Sequence, residues 1–162
     1  MNPAVLSTDN SIFITFLASF LIWFMLGGLI FLWIIDGRVK REQALHAFLS
    51  GTLAWTVSMM IKSLFPSIRP FSINGTIPLT ITIPSVDSSF PSTHTAVAFA
   101  VATSIYVHNK KLGLRFLILA ALIAMGRVLS SAHFLQDVVF GILIGLSTSY
   151  LIKKLHTFKL IE

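Results

Sequence analysis

From Ser11 to Ile35 the chain carries no ionisable side chain, and Phe, Trp, Leu and Ile fill most of the run. About 20 apolar residues cross a bilayer core, so this stretch is long enough to span with some tilt. In lipid every backbone polar group must be satisfied internally, which a helix does. The rest of the chain agrees. Of its 162 residues, 55% are hydrophobic and only 11% charged, too little polar surface for a soluble domain of this size. The expectation is an all-α integral membrane helix bundle in one domain, residues 1–162, with about five transmembrane helices. No cysteine is present, which excludes disulfides and thiolate metal sites. The net charge of +6 comes in short clusters between apolar segments, the pattern of loops at a membrane surface and not of a nucleic-acid binder.

Taken in order, residues 1–10 have no Lys or Arg, so they lack the basic start of a secretory signal. Gly27-Gly28 in the first span is a site for close approach by a neighbouring helix. Asp36 to Arg41 reads as a basic turn. A second helix is expected from Glu42 to Phe65, with Ser50, Thr52, Thr56 and Ser58 on helix–helix contacts and His46 packed without a role. Pro66 to Pro91 is a long polar connection, in which Ile77 to Ile83 reads as a short strand or as a flap on the membrane surface. Asp87 there is a turn or cap residue. A third helix starts at Ser92 and runs to His108. A fourth runs from Leu112 into Gly126-Arg127, followed by a bend over Ser130 to His133. A fifth runs from Phe134 to Ile152, with Gly141 and Gly145 as a small-xxx-small face. The aromatic residues, Trp23, Trp33 and Trp55 among them, read as lipid-facing or packed.

With five spans, nine of the twelve Lys and Arg residues fall on one side, which the positive-inside rule makes cytoplasmic. The other three, Lys62, Arg69 and Arg127, fall on the opposite side with His94 and His133. An ionisable residue at the rim of a membrane segment is functional by default. His133 and Asp137 are one helical turn apart, so a carboxylate is placed to accept the Nδ1 proton and leave Nε2 as nucleophile or base. Ser92 is a good N-cap, and the amides of Thr93 and His94 at that helix start form an anion site. Three cations gathered there are tolerable when an anion joins them, and phosphate fits best. Two histidines beside a phosphate cradle indicate covalent phosphoryl transfer. In that reading His133 attacks phosphorus, Asp137 steadies the imidazolium and His94 serves as acid, then base.

Lys62-x6-Arg69-Pro70, Pro91-Ser92-Thr93-His94 and Arg127-x5-His133-x3-Asp137 together resemble the signature of the type-2 phosphatidic acid phosphatase family, whose site is shared with vanadium-dependent haloperoxidases. The resemblance covers Lys62 to Asp137. It implies that Lys62, Arg69, Ser92 and Arg127 bind phosphate and that His94, His133 and Asp137 are catalytic; the Thr93 amide joins the phosphate site by its place at the helix start, and cations gathered without a carboxylate cluster argue for no metal or other cofactor. Two departures stand out. Thr93 occupies a position where the family usually has Gly, and one membrane helix fewer than in typical integral members precedes Lys62. A homodimer partner is one source for the missing wall.

The resulting expectation is a lipid phosphate phosphatase in a bacterial or archaeal cell membrane. Its partners are the bilayer and a membrane lipid phosphate, its site faces away from the cytoplasm, and the 66–91 loop lies over that site. Isoprenoid diphosphates, phosphatidylglycerophosphate and phosphatidate are all substrates of suitable chemistry. Two alternatives are a non-catalytic phospholipid head-group binder or carrier, for which a nucleophile has no use, and a haloperoxidase-like vanadate enzyme. A metal site on His94, His133 and Asp137 is disfavoured by the three adjacent cations.

Overall fold

The computed structural model describes residues 8–35 and 38–159. Five long helical passes form a bundle. The first comprises α1 (Thr8–Thr15), a π-helical turn (Phe16–Phe20) and α2 (Leu21–Ile35). The others are α3 (Arg38–Leu64), α5 (Thr93–His108), α6 (Lys110–Leu129) and α7 (Leu135–Lys159). A short α4 (Pro70–Asn74) lies in the connection between α3 and α5. Four passes are long and apolar enough to cross a membrane: Asn10–Ile34, Arg41–Leu64, Lys110–Leu129 and Leu135–Leu155. The fifth, α5, is 16 residues, roughly 24 Å at 1.5 Å per residue. It is the helix the others surround, packing on α3, α6 and α7. Its alanines 96, 98, 100 and 102 are fully buried. Small side chains on a central helix let neighbouring backbones come close, which is the main source of attraction between helices in lipid.

Gly141 and Gly145 serve that close approach as expected. A Cβ added at Gly141 would lie 2.7 Å from the Ser92 carbonyl oxygen, and one at Gly145 2.6 Å from that of Ala96. The crossing of α7 on α5 therefore clamps the start of α5, where Ser92 and His94 stand. Gly27-Gly28 has no such role. Nothing lies within 4 Å of a Cβ at Gly27, and only the Phe116 ring tip approaches Gly28, at 3.4 Å. On α3, Ser50 and Ser58 are buried between helices as expected. Thr52 and Thr56 are exposed, and each hydroxyl donates to its own helix, to the Phe48 and Thr52 carbonyls.

Helix ends differ in detail from the sequence reading. Within the expected basic turn from Asp36 to Arg41, residues 36–37 lie outside the described residues, and α3 already begins at Arg38. Asn109 alone separates α5 from α6, its Oδ1 accepting from Leu112 N at 3.0 Å. α7 continues through Lys153-Lys154 to Lys159. The turn between α6 and α7 falls at Ser130 to Phe134, with Ser131 in the left-handed region at φ 58°. Among the described residues there is no strand, only an isolated parallel bridge between Ser67 and Ser88. Ile77 to Ile83 is an irregular flap, tied to the bundle by Leu79 N donating to Ser130 O and Ile81 N to Ser19 Oγ.

The glycine contrast is testable. Gly145→Leu forces α7 off α5 and is expected to cost about 3 kcal/mol, read as a lowered Tm in detergent. Gly27→Leu meets open space and should leave Tm nearly unchanged. Equal Tm values for the two variants would contradict this packing.

Candidate active site

One cleft, about 940 Å³ in volume, is lined by Lys62, Arg69, Thr93, His94, Arg127 and His133. The three sequence blocks therefore converge, although they leave from four different elements. Lys62 ends α3. Arg69 precedes α4. Thr93 and His94 open α5. Arg127 and His133 flank the end of α6. Asp137 lies behind His133, 1% exposed, in the first turn of α7. Flap residues Thr80 to Thr82, with Pro84, Ser85 and Ser88, close one side. Trp23, Leu26, Trp55 and Met59 line the rest. Trp23 and Trp55 are thus both lipid-facing and part of the cleft wall.

Each cation is held by backbone carbonyls. Lys62 Nζ donates to Ser88 O at 2.8 Å and Ser89 O at 3.2 Å. Arg69 donates through Nε to Ser85 O, through Nη2 to Ser88 O and through Nη1 to Ala132 O, at 2.7 to 2.8 Å. Arg127 Nη1 reaches Ala18 O, in the π-helical turn, at 3.0 Å. These bonds offset part of the mutual repulsion of three cations drawn together. They leave other polar atoms unmet: Arg127 Nε, Thr93 Oγ1 and His133 Nδ1 are buried without a hydrogen-bond partner. An unsatisfied buried polar atom costs about 1–3 kcal/mol. Those of Thr93 and Arg127 belong to residues lining a cationic cleft, which favours an anionic occupant there.

His133 is set by its neighbours. Arg69 Nη1 lies 3.2 Å from His133 Nε2. A guanidinium only donates, so Nε2 must be the acceptor and the ring proton must sit on Nδ1. Nδ1 faces Asp137 Oδ2 at 3.6 Å. That is an ion-pair distance and too long for the direct hydrogen bond expected from the sequence. Burial holds the imidazole below histidine's ordinary range, with Asp137 pulling the other way, so the ring is neutral.

Asp137 Oδ2 is instead engaged by Ser89 Oγ at 2.5 Å and by Phe134 N at 2.9 Å. The Phe134 contact is half of a capping box, in which the third helical residue reaches back to the N-cap amide. The positive end of α7 favours the carboxylate further. Ser89, fully buried, is absent from the residues singled out in the sequence. The only signal for it is its place three residues before Ser92, and nothing in residue type separates it from Ser85 or Ser88. Ser92 is the N-cap of α5 in position, but its hydroxyl pairs with Thr95 Oγ1 at 2.9 Å and makes no cap bond. Its amide donates to Asp137 O at 3.0 Å, tying α5 to α7. Among the described residues no group of three His, Cys, Asp or Glu side chains is placed to hold a metal ion.

A family model described as the PAP2 superfamily matches residues 43–160. The bacitracin transport permease protein BcrC of Bacillus licheniformis is 29% identical over 130 residues, 80% of this chain and 64% of that protein. The undecaprenyl-diphosphatase BcrC of Bacillus subtilis is 25% identical, over 76% of this chain and 63% of its own length. The chain thus spans a little under two thirds of these relatives. The crystal structure of Aquifex aeolicus LpxE superposes with a TM-score of 0.77 at 27% identity, covering 93% of this chain and 88% of that one.

The Ser89 contact makes a prediction for any phosphate ester turned over in this cleft. Ser89→Ala frees Asp137 Oδ2 and should lower kcat about tenfold, the scale of one hydrogen bond to a charged group. Ser89→Thr should restore part of it. An unchanged kcat in purified Ser89→Ala would remove Ser89 from the site.

Proposed function

The chain belongs to the PAP2 superfamily, and on that premise we propose that it is a membrane lipid phosphatase hydrolysing a phosphomonoester or diphosphate through a phosphohistidine. The observation that carries the mechanism is the pair of contacts on His133: the donor Arg69 on the Nε2 side and Asp137 on the Nδ1 side favour the tautomer with its lone pair on the nitrogen beside the cations. Nε2 attacks the terminal phosphorus in line, forming the N–P bond as the P–O bond to the leaving group breaks, the lipid alkoxide for a monoester or the lipid monophosphate for a diphosphate. His94 gives its proton to the leaving oxygen. The Nδ1 proton stays on the ring, and Asp137 stabilises the resulting positive charge. His94 then takes a proton from water, which attacks the phosphohistidine, releases inorganic phosphate and restores His133. Lys62, Arg69 and Arg127, with the first amides of α5, stabilise charge on the equatorial oxygens. For the guanidinium of Arg69 this means exchanging its Nε2 contact for a phosphate oxygen.

The relatives' names support a diphosphate of a polyprenol as substrate. The permease name of one relative fits the alternative of a carrier without turnover. A buried histidine–carboxylate pair beside the cations favours the enzyme, since binding alone needs no nucleophile. Charge distribution supports a site facing away from the cytoplasm. The starts of α3 and α6 and the end of α7 carry the basic residues, and His46 touching His108 at 2.8 Å places the start of α3 and the end of α5 at the same end, away from Lys62.

Two experiments test this. After a quench, acid-labile radioactive phosphate should be trapped on His94→Ala supplied with nitrophenyl phosphate, whose leaving group needs no proton. His133→Ala should trap none, and Asp137→Asn should be impaired less than His133→Ala. The reverse pattern exchanges the two roles, and absence of any trapped phosphate in wild type and His94→Ala points to direct attack by water. For orientation, cysteines at the exposed positions Ser72 and Lys111 are probed on intact cells with an impermeant reagent. Labelling is expected at position 72 alone, and labelling at 111 alone inverts the topology.

A further inference from the structure

The phosphate cleft does not end at its apolar wall. Leu26, Trp55 and Val97 line both that cleft and a second cavity of about 220 Å³. The second cavity continues between α2 and α3, over α5, to Leu29, Phe48 and Gly51. Apart from the indole of Trp55, its lining is aliphatic, aromatic or Gly51 except for Thr52, whose hydroxyl already donates to Phe48 O at 3.0 Å. Along α3 the path from Lys62 to Phe48 covers 14 residues, about 21 Å. Half of a bilayer's hydrocarbon core is about 15 Å. Starting from a head group at the rim, the groove therefore extends past the depth that the tail of one leaflet's lipid needs.

Gly51 keeps the far part open. A Cβ there would stand 3.1 Å from Val101 Cγ2 and 3.7 Å from Val97 Cγ1, so a side chain would fill the space between α3 and α5. Phe48 and Trp55 are more than half exposed, leaving the groove open sideways to lipid. A chain can thus slide in laterally, without threading through the cationic mouth.

We propose that this second cavity is a subsite for the distal hydrocarbon of the substrate, and that it selects a single linear chain longer than one leaflet's tail. The inference rests on the phosphatase reading for the head-group end, and it adds to that reading a preference for a long chain over a short one. The selection is hydrophobic. Each additional methylene leaving water contributes about 0.8 kcal/mol at most, less when it leaves lipid or a micelle. The groove's contribution is therefore shape, and Gly51 is its specificity-determining position.

The test compares undecaprenyl diphosphate with geranyl diphosphate, whose chain is too short to pass Trp55, in the same detergent micelles. The readout is the long-to-short ratio of kcat/KM. In wild type the ratio should exceed one. Gly51→Leu should lower it about tenfold, through KM for the long substrate. Thr52→Trp, which blocks the same cavity from the lipid side, should lower it too and covers the case in which Gly51→Leu does not fold. A ratio unchanged in whichever of these variants folds overturns the subsite, as does an equal loss for both substrates. Binding of the corresponding unreactive phosphonates, followed by tryptophan fluorescence, reads the subsite without turnover. No hydrolysis by wild type, with a long-chain binding preference that Gly51→Leu abolishes, sinks the phosphatase reading and supports the subsite. No long-chain preference in binding sinks the subsite alone.

Discussion

Three cationic side chains held side by side in a chain that is mostly apolar set the terms for the rest of the structure. Lys62, Arg69 and Arg127 repel one another, and burial in a low-dielectric bundle makes that repulsion stronger. The fold answers with backbone carbonyls. Residues 85–89 run past Lys62 and Arg69 so that three carbonyls meet four of their N–H donors, and the π-helical turn offers Ala18 O to Arg127. The dependence is mutual: without the cations that limb of the connection loses its anchors, and without the limb the cations lose their partners. The parallel bridge between Ser67 and Ser88 and the bond from Ser89 N to Ser67 O then fix the limb's register against the segment leading to Arg69.

Behind the cations the arrangement is one of small residues and close backbones. Gly141 and Gly145 bring α7 against the start of α5, and Asp137 O receives the Ser92 amide across that crossing. The carboxylate beside His133 and the helix start that carries His94 therefore belong to one rigid corner. The flap from Ile77 to Ile83, tied by two hydrogen bonds to Ser130 and Ser19, is the lightly held wall. The candidate site groups sit on packed helices, and the segment along one side of the cleft is the loosely tethered one.

Much of this was legible in the sequence, for identifiable reasons. Lys62, Arg69, Arg127 and the two histidines stand out because charge is scarce in an apolar chain. Gly141 and Gly145 stand out by their spacing. The bend at Ser130 to His133 follows from Arg127 and His133 being off-face on a straight helix. Other features left no such mark. Gly27-Gly28 has the composition of a close helix contact, yet only the tip of the Phe116 ring reaches Gly28 and no backbone comes near. α4 is five residues within a Pro- and Ser-rich connection, too short for a periodicity. Ser89 is one serine among several, and only three-dimensional placement brings it to Asp137. The 3.6 Å between His133 and Asp137 reflects competition for one carboxylate oxygen, which spacing along the chain does not reveal.

The π-helical turn at Phe16–Phe20 acts as a phase shifter. At 3.6 residues per turn, one residue's worth of extra winding rotates everything beyond it by roughly 100°. Within the turn, Leu17 and Ala18 face Gly126 and Arg127, and Ser19 reaches the cleft. Beyond it, Ile22, Trp23 and Leu26 face the cleft. The pass packs on α6 both within and beyond the turn, and an adjoining face lines the cleft. Removing a single residue there would leave a helix of nearly the same length and hydropathy whose cleft wall pointed into the lipid. For this pass, the register of the helix carries information that its composition does not.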